Sequence, residues 1–246
     1  MAKFSIVIIS FNSSLKLKEV LVQASKISED IVVVDRGSKD DTKTICKEFD
    51  VQFYEQEWLG YGKQKNFAIT KAQHDWILSI DTDEILSDEL LKELKELVLK
   101  ENHVYNIPFR NIYCGQEVRF GRWKNEKHVR LFNRKEVQWD ENAVHEGLFL
   151  KDLKKVKLRH PIYHYSMNSK AEHLAKAHAY AKMGASKLKL QDKKATFLKL
   201  YINPFYRFVK DYFFSMGFLD GKLGFQIAVI IAKESYWKYK NLKDIS

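Results

Sequence analysis

Cysteine, proline and long apolar segments are all scarce in this chain of 246 residues. Its two cysteines, Cys46 and Cys114, match no metal-binding or redox spacing, so we expect a reducing compartment. The longest apolar run, residues 223–232, is shorter than the roughly 18–20 residues that a membrane-spanning helix needs. The amino terminus lacks the charged, apolar and small-residue pattern of a signal peptide. We therefore expect a protein that is neither secreted nor integral to a membrane.

Acidic side chains are scarce only in the last part of the chain. Residues 1–150 carry 22 basic and 25 acidic side chains, a net charge of −3. Residues 151–246 carry 20 basic and 7 acidic side chains, a net charge of +13, and the two parts together give the formal +10. A strongly basic segment of this kind favours an anionic partner, and nucleic acid and anionic lipid are the two candidates.

The first hundred residues contain an alternation of strands and helices. Apolar, β-branched segments alternate with segments of helical periodicity: strands at 4–10, 31–34, 51–54 and 76–80, helices at 15–25, 45–49 and 63–72. This order predicts an α/β sheet with right-handed crossovers. Neither G-x-G-x-x-G nor G-x-x-x-x-G-K-[ST] occurs, so dinucleotide binding and P-loop chemistry lose most of their support.

Carboxylates follow two of these predicted strands. Asp81 and Asp83 stand on either side of Thr82, and alternate residues of an extended chain point the same way. Such a pair suits a divalent cation that also holds a phosphate, although an acidic loop or helix start is the alternative. Asp35 ends another strand, where α/β sheets bind nucleosides, unless it is only a turn or cap residue. By the same alternation we expect Glu84 to turn away from Asp83 and to be paired within the fold.

Three segments together resemble family 2 glycosyltransferases of the GT-A fold: SIVIISFN at residues 5–12, IVVVDRGSKDDT at 31–42 and LSIDTDE at 78–84. WLGYGKQKN at residues 58–66 and VHE at 144–146 further resemble the bacterial branch that adds sugars to the inner core of lipopolysaccharide. The resemblance covers most of the chain and weakens towards the carboxyl terminus. It implies a GT-A-like, mainly parallel mixed sheet flanked by helices, with a helical extension.

The resemblance also implies a nucleotide-sugar donor and a divalent cation, Mn²⁺ or Mg²⁺. Asp35 would contact the base or ribose, Asp81 the ribose or metal, and Asp83 the metal on the diphosphate. Arg36 stands where the family has a second aspartate, which puts one nucleotide contact in doubt. Four further residues complete the expected donor site, the two lysines being otherwise solvated surface residues: Phe11, Asn12, Lys63 and Lys65.

Transfer with inversion needs a base separate from the metal ligands, to take a proton from the acceptor hydroxyl. We assign this role to Glu146, with His145 as orienter or phosphate contact, because the resembling branch has a His-Glu pair there. A structural ion pair is the alternative for Glu146, and Asp140 and Glu141 are nearby competitors. His164 is a candidate for the metal or diphosphate, or else a packed histidine.

Between two strand-like segments, 104–110 and 129–134, lies a polar loop with aromatic and basic side chains. Such a loop receives a sugar and a phosphate, or it is a plain surface hairpin. We expect the acceptor to be bound by four residues: Arg119, Arg122, Trp123 and Arg130.

From Lys170 onwards the pattern is helical. Seven of the fourteen residues in 205–218 are aromatic and are mixed with Arg and Lys. This composition predicts an interfacial membrane element, with a core helix as the alternative. We expect a catalytic domain at 1–165, with a nucleotide-binding half (1–100) and an acceptor half (101–165), and an extension at 166–246.

Together these features predict a metal-dependent, inverting, hexosyltransferase-type glycosyltransferase that acts on a lipid-linked glycan, in lipopolysaccharide core or related cell-envelope glycan synthesis. The basic tail would hold it peripherally on the anionic inner face of the cytoplasmic membrane. A nucleotidyltransferase is the first alternative, but residues 10–14 do not supply the Gly- and Arg-rich loop it needs. A nucleic-acid-binding protein is the second alternative, and it gives no reason for carboxylates at strand ends. We therefore expect no nucleic-acid partner.

Overall fold

The structure is a computed structural model that describes residues 3–124, 126–140, 147–150 and 152–245. The chain forms two compact units. The first, called the sheet unit below, comprises Met1–Phe109 and Asn125–His164. The second, called the helical unit, comprises Arg110–Lys124 and Tyr165–Ser246. The loop predicted to bind the acceptor thus belongs largely to the helical unit, rather than to the 1–165 segment expected from the sequence.

The strands first follow the predicted alternation, and the later strands pair mostly in the antiparallel sense, with one parallel pairing. They are β1 (Ser5–Ser10), β2 (Ile31–Asp35), β3 (Gln52–Glu55), β4 (Trp76–Asp81), β5 (Glu84–Leu86), β6 (His103–Tyr113), β7 (Gln116–Glu117), β8 (Lys127–Asn133), β9 (Lys154–Lys157) and β10 (Ile162–Met167). The helices are α1 (Ser14–Ala24), α2 (Thr42–Glu48), α3 (Tyr61–Lys71), α4 (Asp88–Glu96), α5 (Lys170–Leu190), α6 (Asn203–Val209) and α7 (Gly221–Ile245). The predicted α/β alternation and the carboxyl-terminal helical region are confirmed.

The sheet runs in the order β3-β2-β1-β4-β8-β6-β10-β5. Strands β1 to β4 are mutually parallel, and β8 pairs with β4 in the antiparallel sense. In this register Ser10 lies opposite Asp35, and Ile9 lies opposite Asp81. The two strand-end carboxylates therefore lie at the same edge of the sheet, on either side of β1.

The parallel strands are continuous apolar runs because both of their faces are covered. Four consecutive residues of β2, Ile31 to Val34, are buried, and so are Ile6 and Ile8 of β1. The conformational freedom of such strands is low, so polar groups at their ends are held in fixed positions.

The helical unit has its own small core, formed by Tyr113, Val118, Met167, Ile227 and Ile231. Between α6 and α7 the chain passes through a π-helical turn, Lys210–Phe214, and a 3₁₀ turn, Gly217–Asp220. Two glycines allow a close backbone approach here, since a Cβ on Gly224 would lie 1.8 Å from the carbonyl oxygen of Gly217.

No described helix is, by itself, both long and apolar enough to cross a membrane. Two consecutive segments, Leu198–Phe214 and Gly217–Ile245, pass that test only as a pair, by length and composition, and they are bent by 71° at the break.

Candidate functional site

Asp35, at the end of β2, organises the loop that follows it. Its Oδ1 accepts the backbone N–H groups of Gly37 (2.8 Å) and Ser38 (2.6 Å). Its Oδ2 accepts the hydroxyls of Ser10 (2.7 Å) and Ser38 (2.5 Å). A carboxylate offers about four lone-pair positions, and these four bonds use them. Asp35 is buried and shapes the loop, as the turn alternative expected, and its contact with the base or ribose stays a prediction.

Asn12 and Asp40 fix the same loop from the other side. The Asn12 side-chain oxygen accepts the backbone N–H of Lys39 at 2.9 Å, and the backbone N–H of Asn12 donates to Ser38 Oγ at 2.7 Å. Burial opposes ionisation of Asp40, but hydrogen bonds from Thr42 and Ser14 outweigh it and lower the pKa of Asp40 to about 2. The loop is thus held by ionised and amide acceptors.

Aromatic side chains and one arginine form the rim of this loop. The Arg36 guanidinium lies 3.7 Å from the ring centroid of Phe11 and 4.9 Å from that of Trp58. Both rings are only partly covered. Planar, half-exposed groups in such a stack provide a surface on which a flat, electron-rich ring can pack.

Asp81 is the centre of a charged cluster at the end of β4. Its Oδ1 lies 3.1 Å from Lys65 Nζ, and its Oδ2 lies 3.1 Å from Arg130 Nη2. Burial works against its ionisation, but the charges of Lys65 and Arg130 prevail and hold the pKa of Asp81 far below its usual range. Lys65 and Arg130 are themselves buried, so Asp81 is ionised and paired with two cations.

Glu84, at the start of β5, completes this cluster. It is buried, forms an ion pair with Arg130 and accepts the backbone N–H of Asp81 at 3.1 Å. Burial raises the pKa of Glu84, while Arg130 opposes that rise. The prediction that Glu84 is paired within the fold is confirmed, and Arg130, expected to bind the acceptor, lies here between two carboxylates.

Asp83 turns to a different neighbour, His164 of β10. Its Oδ2 lies 3.6 Å from His164 Nε2, and both side chains are part-exposed. Burial lowers the pKa of His164, but the nearby carboxylate of Asp83 outweighs this effect, so the pKa is raised. The predicted proximity of Asp83 and His164 thus appears in the structure as a direct contact.

The donor set around Asp83 fits a divalent cation only if the substrate supplies further ligands. Among the described residues, no three His, Cys, Asp or Glu side chains lie close enough to hold a metal ion by themselves. Mg²⁺ is commonly bound through one or two carboxylates together with substrate phosphates and water. Asp83 with His164 matches that pattern, whereas Asp81 is already engaged by two cations.

The residues predicted as the base, His145 and Glu146, lie outside the described residues. The described residues beside them lie next to the charged cluster. Trp139 exchanges two hydrogen bonds of 3.0 Å with the Asn66 side chain, and Lys65 Nζ lies 4.4 Å from the centroid of its ring. The N–H of Asp140 donates to the carbonyl of Gly147 at 2.7 Å.

The remaining predicted residues lie in other places. Lys63 is exposed on α3. Arg119 and Arg122 are exposed in the helical unit, where Trp123 packs against the rings of Tyr113 and His173 at 5.9 Å and 5.3 Å. Trp123 therefore packs within the helical unit, and its contact with an acceptor stays a prediction.

Several members of the site, among them Arg36 and Trp139, were not assigned from the sequence. Arg36 was noted as a departure from a pattern, but its stacking partners were not foreseen. Trp139 gave no local signal, because its role depends on contacts with α3, 73 residues away. Its position just before the segment that carries Glu146 was the available hint.

The chain is similar to known glycosyltransferases. The sequence profile described as "Glycosyl transferase family 2" matches residues 5–172. An uncharacterized glycosyltransferase of Rickettsia prowazekii is 31% identical over 258 aligned positions, which cover 100% of this chain and 88% of that protein. The lipopolysaccharide core biosynthesis glycosyltransferase LpsC of Rhizobium meliloti is 24% identical over 247 positions, covering 94% and 91% of the two chains.

Among solved structures, Staphylococcus aureus TarS 1–349 in complex with UDP-GlcNAc matches with a TM-score of 0.50 at 15% identity. The match covers 99% of this chain and 90% of that chain. At this identity the likeness shows a shared fold, and the predicted GT-A-like sheet with a helical region is confirmed.

Proposed function

Because this chain belongs to glycosyl transferase family 2, we propose that it moves a sugar from a nucleotide-sugar donor to a lipid-linked glycan acceptor, with inversion and with the help of Mn²⁺ or Mg²⁺. We place this reaction in lipopolysaccharide core or related cell-envelope glycan synthesis. The enzyme would work at the inner face of the cytoplasmic membrane, as a peripheral protein.

The proposal rests on the different surroundings of the two aspartates in the acidic segment, Asp81 and Asp83. Asp81 is held between Lys65 and Arg130, whereas Asp83 keeps an accessible carboxylate beside His164. A purely structural acidic loop does not require that Asp81 is fixed by two buried cations while the neighbouring Asp83 stays accessible. In a donor site the fixed Asp81 would hold the segment in place, so that Asp83, the metal-binding group, is positioned before the diphosphate arrives.

In this proposal Asp83 and His164 hold the divalent cation, which when bound neutralises negative charge on the leaving diphosphate. Lys65 and Arg130 set the position and ionisation of Asp81. The Phe11–Arg36–Trp58 stack receives the base, and Asp35 acts by holding the loop of Gly37 and Ser38 in shape. Lys63 is exposed on α3, so its side chain would be able to move towards a phosphate of the donor.

We assign proton abstraction from the acceptor hydroxyl to Glu146, oriented by His145. Support comes from the described flanks of that segment, since Trp139 contacts Lys65 and Asn66 of α3. A base near Lys65 would lie close to the donor sugar, as an attack on the anomeric carbon opposite the diphosphate requires.

A lipid-linked acceptor is supported by the helical unit. Large apolar side chains are exposed over α6 and its neighbours, and Phe205 and Phe214 are 67% and 76% exposed. Contiguous exposed apolar side chains beside basic residues suit a membrane interface. Similarity to a protein named for lipopolysaccharide core biosynthesis supports the glycan class.

The proposal is tested by nucleotide binding with and without Mn²⁺ or Mg²⁺, for the wild type and for Asp83→Ala. We expect the metal to strengthen binding of UDP or another nucleoside diphosphate in the wild type, and Asp83→Ala to abolish that gain. Asp88→Ala, an exposed aspartate on α4, is the matched control and should keep the gain. Metal-independent binding that Asp83→Ala leaves unchanged would contradict the proposal.

The base is tested separately with Glu146→Gln. This variant should retain metal-dependent donor binding and lose transfer by about 10²–10⁴-fold, the usual contribution of general acid–base catalysis. Near-normal turnover would assign the proton transfer to another residue, and Asp140→Asn is then the next variant to measure.

A further inference from the structure

A basic cavity of about 570 Å³ lies within the helical unit. Four cationic side chains line it: Arg122, Arg207, Lys210 and Lys238. Its volume is within the range of small-molecule sites, roughly 300–1,000 Å³. Four positive charges around a concave surface favour an anion, and two of them are guanidinium groups, which bind phosphate through paired hydrogen bonds.

Asp211 gives this cavity a second kind of binding group. The residue is 7% exposed and lines the cavity, yet its Oδ2 atom has no hydrogen-bond partner among the described residues. A buried acceptor without a donor is costly. It sits in the π-helical turn Lys210–Phe214, and π-turns inside helices are frequent at functional sites.

Two acidic side chains near the cavity, Asp211 and Glu234, experience opposing effects from burial and from neighbouring arginines. Burial raises the pKa of Asp211, against the charges of Arg122 and Arg207. Burial also raises the pKa of Glu234, and the same two arginines oppose the rise. The arginines alone would be enough to bind a purely anionic ligand. The carboxylate of Asp211 beside them favours a ligand that also donates hydrogen bonds.

Aromatic and amide groups complete the wall. Tyr206 and Tyr239 line the cavity, and Asn203 donates a hydrogen bond to the Tyr239 hydroxyl at 3.3 Å. Tyrosine rings with polar rims pack against the faces of sugar rings, while their hydroxyls stay available for hydrogen bonds. Cations for a phosphate, a carboxylate for hydroxyls and tyrosine rings for an apolar sugar face are thus gathered in one cavity.

We propose that this cavity binds a phosphorylated sugar, with the phosphate on Arg122 and Arg207 and a sugar hydroxyl donating to Asp211. That this phosphorylated sugar is the phosphate-bearing part of the acceptor glycan rests on the function proposed above. Binding of a phosphorylated sugar does not rest on that function, because no transfer step is involved.

The test measures binding to the full-length protein by titration calorimetry, with glucose 1-phosphate, inorganic phosphate and glucose as probes. We expect glucose 1-phosphate to bind more tightly than either of the other two. Arg207→Gln should weaken glucose 1-phosphate about tenfold or more, as expected for loss of a charge-assisted hydrogen bond. Asp211→Asn should weaken glucose 1-phosphate but leave inorganic phosphate unchanged or bound more tightly.

Lys187→Gln is the matched control, because it removes one positive charge from an exposed position on α5, outside the cavity. It should leave all affinities within about twofold, as screened surface charges do. Equal weakening by Lys187→Gln and Arg207→Gln, or no saturable binding of glucose 1-phosphate to the wild type, would overturn the proposal.

Two further measurements separate the possible sources of the phosphate and the possible failures. If glucose 1-phosphate displaces the protein from phosphatidic-acid vesicles, and Arg207→Gln prevents that displacement, one site accepts the phosphate of both and the proposal stands. Vesicle binding that depends on Arg207 but resists glucose 1-phosphate assigns the cavity to lipid phosphate and overturns the sugar assignment. Arg207→Gln should not affect metal-dependent donor binding. If the wild type itself shows no metal-dependent donor binding, the transferase proposal is contradicted, while the proposal for this cavity is not affected.

Discussion

The two units of this protein place charge and apolar surface in opposite ways. In the sheet unit, charged side chains are buried: Lys65 is 4% exposed, Arg130 is 8% exposed and Glu84 is 1% exposed. In the helical unit, large apolar side chains remain outside, and α6 buries none of its residues. Each arrangement has a cost, since buried charges are desolvated and exposed apolar groups contact water.

Under the proposed function, the two costs relate to different ligands. Buried charges in the sheet unit would fix one another in place for a small, highly charged donor. Exposed apolar groups in the helical unit would suit a partner that is itself extended and apolar. Removing a buried charge should therefore reduce stability, whereas removing an exposed apolar group should reduce association.

The largest effect is expected for Arg130→Met. Loss of this cation leaves Asp81 without one of its two cationic partners and Glu84 without its ion-pair partner, and breaking a buried ion pair costs about 3–5 kcal/mol. Urea unfolding would measure the loss in the free energy of unfolding. The double variant Arg130→Met, Glu84→Leu should recover part of the loss, and a cost under about 1 kcal/mol for Arg130→Met would contradict the view that this pair is desolvated.

Gly224→Ala should have the next largest effect, and it lies in the helical unit. The new Cβ would meet the Gly217 carbonyl oxygen at 1.8 Å, so the backbone must shift, at about 3 kcal/mol, the upper end of overpacking costs. Gly184→Ala is the matched control, since its Cβ would meet only side-chain atoms, Cδ and Cγ of the flexible Lys238, and the substitution gains helix propensity. Thermal unfolding should show a lower Tm for the first variant alone; equal Tm values would contradict the close packing.

A smaller, pH-dependent effect is expected from His173 of the helical unit. Burial, aided by the charge of Lys176, lowers the pKa of His173 to about 4, against about 6.5 in the unfolded chain. The unfolded state therefore binds more protons between these values, so stability is full above pH 6.5 and is lost as the pH falls towards 4. His173→Gln should reduce this acid loss by about 2 kcal/mol, after allowance for partial solvent screening. Unfolding curves at pH 7 and pH 4.5 that show the same acid loss in both proteins would be the contrary result.

The smallest effect on stability is expected for Phe214→Ser, which alters a side chain that is exposed. Its unfolding free energy should change by less than about 0.5 kcal/mol, as for most surface substitutions. Sedimentation with phosphatidylglycerol vesicles should nevertheless decrease. Val98→Ser changes an exposed apolar residue of the sheet unit and should leave sedimentation unchanged; an equal decrease for both variants would remove the contrast between the units.

The sequence predicted those features that depend on local patterns. Strand and helix order, the carboxylates at the ends of β2 and β4 and the inward turn of Glu84 all follow from periodicity and alternation. Partners across the sheet could not be predicted in the same way, because Arg130 lies 49 residues beyond Asp81 and Trp139 lies 73 residues beyond Asn66. Arg130 was accordingly assigned to the acceptor, while the structure places it between two carboxylates. A turn role for Asp35 was one of the two alternatives open from the sequence, but its four hydrogen bonds were not foreseen, since they depend on a loop conformation that composition does not specify.

The strand order has a consequence for how the chain folds. Only Thr82 and Asp83 separate β4 from β5 along the chain, although β8, β6 and β10 lie between these strands in the sheet. The parallel strands β1 to β4 come from neighbouring segments and can pair early. The acidic segment acquires Arg130 and His164 only when β8 and β10 have docked, and contacts between distant segments form slowly. During refolding, the capacity to bind a nucleotide should therefore return later than the secondary structure of the parallel strands.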